Sequence, residues 1–181
     1  MPFEPPKTGF GRSYPIRVEP YDPAWPERFE AEADRIRQAL GRLAVRVEHI
    51  GSTAVPAMAA KPVIDIQVSV PSMDPLDAYR IPLEAIGYGY RHDPDNPEHE
   101  YFFRDVEGVR AYQIHFCPVG SNWERSHLAF RDRLRADPAM AAEYRALKEE
   151  LAGRFPMRMD AYLEAKEAWI QPVVDQLMRE A

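Results

Sequence analysis

The chain has 181 residues, 45% apolar and 29% charged, with 29 acidic against 23 basic side chains and a net charge of −6. That is enough chain to bury a core without staples, and the single cysteine, Cys117, excludes an intrachain disulfide and reads as a buried, inert thiol. No run approaches the roughly 20 apolar residues of a membrane helix, and the acidic balance excludes a general nucleic-acid coat while leaving room for a small anion in a local basic pocket.

Residues 1–15 are rich in proline and glycine and show no apolar period, so they read as a mobile arm ahead of one domain over 16–181. The same stretch has no apolar h-region of the kind a signal peptide carries, and the cytoplasm is the expected location. Asp22-Pro23 is a helix-start signature, followed by Trp25, Phe29, Ile36 and Leu40 on one helical face and a stop at Gly41. Val45 and Val47 alternate into Ile50, a strand ending at Gly51. Val63, Ile64, Ile66, Val68 and Val70 make a second strand, apolar enough to be covered on both faces. Leu76, Tyr79, Leu83 and Ile86 mark a helix that Pro82 should break or kink. Strands are expected over Tyr88–Arg91, Tyr101–Val106 and Val109–Cys117, the last two joined by a tight turn at Glu107-Gly108. Three helices follow: one capped by Ser121 or Asn122 with Trp123, Phe130 and Leu134 inward, one opened by Asp137-Pro138 with Met140, Tyr144, Leu147 and Leu151, and one opened by Asp160 with Leu163, Trp169, Val173 and Leu177. The order of elements predicts an α+β fold with a helical C-terminal third.

Gly51-Ser52-Thr53 is the first candidate for chemistry. A glycine after a strand permits a sharp turn and close ligand approach, and the amides and hydroxyls beyond it could hold a phosphate; alternatively, Ser52 only caps a short helix. Lys61, just beyond, could supply a cation or lie exposed. Asp65 is costly inside PVIDIQV unless it serves a metal, a ligand or a buried partner. Strand alternation puts Asp65 and Gln67 on one side. If the AYQIHFC strand lies alongside, Gln113 and His115 join the same patch. Arg104, a cation in the apolar YFFRD, suggests an anion contact. His127, Arg131 and Arg135 form a basic ridge at helical spacing, to meet the ligand or pair with Glu124 and Asp132. HDPDNPEHE holds many ligand-type side chains but reads as an acidic loop.

The segments YDPAWPERFEAEADRI, EHIGSTAVP, AAKPVIDI, HEYFFR, WERSHLAFRDRLRADP, EYRALKEELA and DAYLEAKEAWIQ resemble the GrpB family, also called UPF0157, from about Val18 to about Val174. The resemblance implies a nucleotidyltransferase-like mixed β-sheet flanked by helices. In that superfamily a Gly-Ser turn holds a nucleoside triphosphate, and carboxylates on the neighbouring strands hold divalent metal, Mg²⁺ or Mn²⁺. Gly51-Ser52 matches the turn and Asp65 the first carboxylate. Gln67 stands at the second carboxylate position and His115 at the third, so Asp65, Gln67 and His115 are the implied metal set. Gln113 stands where relatives often carry a histidine, and Ala57-Met58 replaces the usual Gly-Leu. Family members also occur fused to dephospho-coenzyme A kinase.

Three readings follow. In the first, the protein is a metal-dependent nucleotidyltransferase that uses a nucleoside triphosphate and an unknown acceptor, with Asp65 and His115 catalytic. Gly51, Ser52, Thr53, Lys61, Arg104 and Arg131 would then bind phosphate. In the second, it is an inactive nucleotide- or phosphate-binding module linked to coenzyme A synthesis. In the third, it is a structural domain in which Asp65 pairs with Arg104 or another base. The expected partner is a nucleoside triphosphate or another phosphorylated small molecule, with no nucleic acid, membrane or organic cofactor.

Overall fold

The structure, a computed structural model, describes residues 15–92 and 96–180. The expected arm therefore lies outside the described residues except for Pro15, as do positions 93–95 of the acidic loop. The described strands are β1 (Arg46–Ile50), β2 (Ile64–Val70), β3 (Gly89–Arg91), β4 (Glu100–Val106) and β5 (Val109–Pro118). The helices are α1 (Trp25–Leu40), α2 (Asp77–Ala85), α3 (Asn122–Ala136), α4 (Pro138–Arg154) and α5 (Met159–Glu180). This is the expected α+β architecture with its helical C-terminal third.

The strands form one mixed sheet in the order β1-β2-β5-β4-β3. β1 runs antiparallel to β2, β2 parallel to β5, and β5, β4 and β3 make an antiparallel meander. At the β4–β5 corner, Glu107 and Gly108 both take positive φ, 53° and 78°, the geometry that follows strand twist in a two-residue hairpin.

One face of the sheet carries Ile64, Ile66, Val68, Val70, Phe102, Ile114 and Phe116, buried against Trp25, Phe29, Ile36 and Leu40 of α1 and Tyr79 and Leu83 of α2. Each such side chain contributes about 1.5–3 kcal/mol by leaving water. The same face holds one charged group with a full set of partners. Glu32 of α1, 2% exposed, accepts from Arg104, from Arg35 at 2.8 Å and from the Tyr88 hydroxyl at 2.9 Å.

The opposite face is covered by α3, and α4 and α5 pack on α3. Val55, Met58, Leu134 and Tyr144 form one core there with Phe130 and Trp169, and Ile16, Leu151 and Tyr162 form another. β2 is buried on both sides, as its composition implies; only Asp65 interrupts the burial. Ser121, not Asn122, caps α3, accepting from the Glu124 amide at 3.1 Å. Asp137 caps α4 through the Met140 amide at the same distance.

Two local expectations are corrected. α1 starts at Trp25 with Pro26 in its first turn; Asp22 instead closes the preceding turn by accepting from the Ala24 amide at 2.9 Å. α2 runs through Pro82 unbroken, because a proline six residues into a short helix removes only the donor that the Ala78 carbonyl would receive. No described helix is long and apolar enough to cross a membrane.

Candidate functional site: the Gly51 turn and the Asp65 carboxylate

Ile50, the last residue of β1, sits opposite Asp65 of β2, so the turn that follows falls onto the Asp65 side chain. Gly51 has φ 68° and ψ −171°, a combination open essentially only to glycine. A Cβ on Gly51 would lie 2.5 Å from Asp65 Oδ2 and 3.0 Å from Asp65 Cβ. Backbone and carboxylate are thus in direct contact. Ser52–Ala54 forms a single 3-10 turn with Gly51 at its N-cap, so Ser52 does not cap it. The Ser52 side chain instead lies near the Tyr144 hydroxyl of α4. Thr53 is 1% exposed, its hydroxyl 2.9 Å from His49 Nε2 and turned inward.

β2 and β5 pair in parallel, with Asp65 opposite Gln113 and Gln67 opposite His115. The four polar side chains therefore share the α3 face, as alternation required. His115 Nε2 lies 3.5 Å from Asp65 Oδ1, and His115 Nδ1 lies 3.2 Å from His99 Nε2. With Asp65 facing Nε2, the proton belongs there, and Nδ1 accepts from His99. His99, 2% exposed, stacks on Trp123 of α3 at 4.0 Å between ring centroids, and Trp123 stacks on His127 at 4.1 Å. Burial raises the Asp65 pKa, but the His115 N–H facing it and the charges of Lys61 and Lys166 outweigh it and hold the carboxyl below its usual range.

Cations gather beside this carboxylate. Lys61 Nζ lies 3.8 Å from Met159 Sδ and 5.9 Å from the Tyr162 ring centroid, both on α5. Burial and the charge of Lys166 hold the Lys61 pKa down to about 8, with Asp65 opposing. Lys148 of α4, 3% exposed, donates to the Ala59 carbonyl and lies 4.9 Å from the Tyr144 ring centroid. Burial first, then Lys166, brings its pKa down to about 7.

Two expected phosphate ligands stand elsewhere. Arg104 is on the α1 face, held by Glu32 and stacked 4.4 Å from the Tyr112 ring centroid, so the Asp65–Arg104 pairing does not form. Arg131 covers β1, donating to Glu48 and to the His49 carbonyl at 2.8 and 3.0 Å, with Asp132 on its Nε. Arg135 donates to the Ala54 carbonyl at 3.0 Å. The ridge therefore pairs with Asp132 and Glu48, while Glu124 is taken by Arg46.

The GrpB family profile matches residues 15–176. The chain belongs to the GrpB family. It is similar to the crystal structure of the conserved protein GrpB from Enterococcus faecalis, with a TM-score of 0.83 and 36% identity over 91% of this chain and 98% of that one. The YqkA UPF0157 protein of Bacillus subtilis is 33% identical over 91% of this chain, which spans 48% of YqkA. A dephospho-CoA kinase of Mycolicibacterium paratuberculosis is 33% identical over 87% of this chain, which spans 44% of that enzyme. The expected kinship with a longer dephospho-coenzyme A kinase is thus present. Ala57 has a φ of 60°, a left-handed conformation in which alanine bears about 1–2 kcal/mol of strain.

The metal implied by the superfamily does not fit this GrpB site. Asp65 is in contact with His115 and flanked by lysines, and Gln67 is fully buried with neither amide atom hydrogen-bonded to protein. Among the described residues no group of three histidine, cysteine, aspartate or glutamate side chains is placed to hold an ion. A two-ion phosphoryl-transfer site needs several oxyanions converging, and among the described residues only Asp65 is placed here.

Sequence reasoning missed His99, Trp123, Tyr144, Lys148 and Lys166. One signal was available: Lys148 falls on the buried stripe of α4 with Tyr144 and Leu151, where a solvated lysine has no place.

Proposed function

We propose that this GrpB domain binds a phosphorylated small molecule, a nucleoside triphosphate being the leading case, between the Gly51 turn, Asp65 and Lys61. One observation carries the reading: Gly51 is packed so tightly on Asp65 that no side chain fits, leaving bare backbone beside a carboxylate with lysines around it. Bare amides and ammonium groups are what a phosphate recognises, and the carboxylate can accept from a ligand hydroxyl.

Binding without transfer is the better supported of the two expected activities. A general base needs a free lone pair within reach of the proton it removes. Both ring nitrogens of His115 are engaged, Nε2 by Asp65 and Nδ1 by His99. Transfer remains the second reading because the Asp65–His115 pair is an acid–imidazole dyad, and release of His99 would free Nδ1 as a base toward an acceptor hydroxyl.

Calorimetric titration with ATP, GTP, CTP and UTP, with and without Mg²⁺ or Mn²⁺, tests this. Binding that persists without metal and survives Asp65→Asn supports the binding module. Binding that needs metal and vanishes in Asp65→Asn supports the transferase instead. No binding of any of the four by a folded sample rules out the nucleotide reading.

A further inference from the structure

Only four of the 23 basic residues are lysines, Lys7, Lys61, Lys148 and Lys166, against nineteen arginines. Lys61, Lys148 and Lys166 come from three parts of the chain, the loop before β2, α4 and α5, that meet. Lys148 donates to the Ala59 carbonyl two residues before Lys61, and Lys61 Nζ lies against Met159 and the Tyr162 ring of α5, one helical turn before Lys166. Each depresses or is depressed by another, as positive groups do at close range. Among the described residues none of the three makes an ion pair with a carboxylate. Carboxylates are not scarce, since the chain has six more acids than bases. Many of the described arginines find them, among them Arg104 and Arg35 on Glu32, Arg46 on Glu124 and Arg131 on Glu48.

A cluster of cations without ion-pair partners costs folding energy, most of all where Lys148 is 3% exposed with a single carbonyl as acceptor for three donors. Lysine tolerates such a place because it can shed its proton when empty and regain it opposite an anion, whereas arginine stays charged. The cluster adjoins the Gly51 turn on two sides. Lys61 and Lys166 act on Asp65, and the Tyr144 ring beneath Lys148 carries the hydroxyl that lies near Ser52.

We propose that Lys61, Lys148 and Lys166 form a metal-independent cradle for the phosphate chain of a polyphosphorylated ligand beside Asp65. This rests on the reading that the site takes a phosphorylated molecule, and it adds that the protein's own ammonium groups neutralise the chain in place of a divalent ion. Three converging charges suit a di- or triphosphate better than a monoester, whose charge one or two of them would satisfy. Magnesium, by neutralising the ligand first, weakens its capture.

The test is calorimetric titration of the full chain with tripolyphosphate and with ATP, in EDTA and then in excess Mg²⁺, using wild type, Lys148→Met and Lys166→Gln. The expected result is binding of both ligands in EDTA, equal or weaker binding in Mg²⁺, and at least about tenfold loss in each variant. Lys166 lies on a partly exposed helix face, so Lys166→Gln carries the test if Lys148→Met does not fold. ATP binding that requires Mg²⁺ and is unchanged in both variants overturns the cradle and leaves the phosphorylated-ligand reading standing. Loss confined to one variant overturns the shared cradle. Tripolyphosphate binding without ATP binding upholds the cradle and removes the nucleoside from the reading. No binding of either ligand to folded protein overturns both.

Discussion

The two faces of the sheet treat charge in opposite ways. On the α1 face Glu32 is 2% exposed and satisfied from three directions by Arg104, Arg35 and Tyr88, inside a wall of aliphatic and aromatic side chains. On the α3 face Gln67 is equally buried with no hydrogen bond, Asp65 touches bare backbone, and among the described residues the nearby lysines make no ion pair with a carboxylate. A closed network holds a fold together. An open one, kept at a cost to stability, is what a ligand completes.

The largest expected effect breaks the closed side. Glu32→Ala strands Arg104, whose side chain is 19% exposed, without its carboxylate, and removing one partner of a buried pair costs about 3–5 kcal/mol. Chemical denaturation should show a loss of that size, with ligand affinity unchanged wherever the protein is folded. A loss below about 1 kcal/mol would mean that water reaches the network and that the two faces do not differ as drawn.

Much of this division was legible in the sequence. The apolar run of β2 fixes a strand covered on both sides, and its alternation puts Asp65 and Gln67 opposite Ile64, Ile66 and Val68. The parallel pairing with β5, needed to bring His115 across, was a conditional that the register fulfils. Partners drawn from distant elements were not legible. Arg104 finds Glu32 at a separation of 72 residues, and Lys148 finds the Ala59 carbonyl at 89. Parity assigns a strand residue to a face, but it does not say which helix covers that face. Glu32 and Lys148 each sit on the buried stripe of their helix, Glu32 with Phe29 and Ile36, Lys148 with Tyr144 and Leu151. A charge in such a stripe announces a buried partner or ligand without naming it.

Acid sharpens the comparison from the closed side. His49 is 7% exposed and stacks on Phe29 at 4.6 Å between ring centroids. Burial, with help from Arg135 and Arg131 against Asp65, lowers its pKa from 6.5 to about 4. The unfolded chain takes up a proton near pH 6.5 while the folded one refuses it until about pH 4, so between those values the unfolded state binds more protons. Stability is therefore full above pH 6.5 and falls as the pH drops through the window, by about 3 kcal/mol in all. Denaturation midpoints across that range should fall steeply in wild type and less steeply in His49→Gln, which keeps a bond to Thr53. Equal slopes would place the acid sensitivity elsewhere.

Gly51→Ala acts where the open face meets its turn. The new methyl would sit 2.5 Å from Asp65 Oδ2 at a φ of 68°. The strain is about 1–3 kcal/mol, so the protein should remain folded, while nucleotide or polyphosphate binding is lost because the backbone no longer reaches the ligand. Full affinity in a folded Gly51→Ala variant would separate the turn from the site.

The smallest expected effect is the most discriminating, because its sign differs between the readings. Asp65→Asn removes the carboxylate that acts on Lys61 and Lys166 and keeps its shape. If the lysines alone hold the phosphate chain, the change removes a repulsion toward the ligand. Tripolyphosphate should then bind in EDTA more tightly by roughly 2–5-fold, the worth of a partly exposed charge interaction of about 0.5–1 kcal/mol. If Asp65 instead anchors a divalent ion that carries the phosphates, the same substitution abolishes Mg²⁺-dependent binding. One variant titrated under two ionic conditions thus separates a carboxylate that tunes a cation cluster from one that recruits a metal.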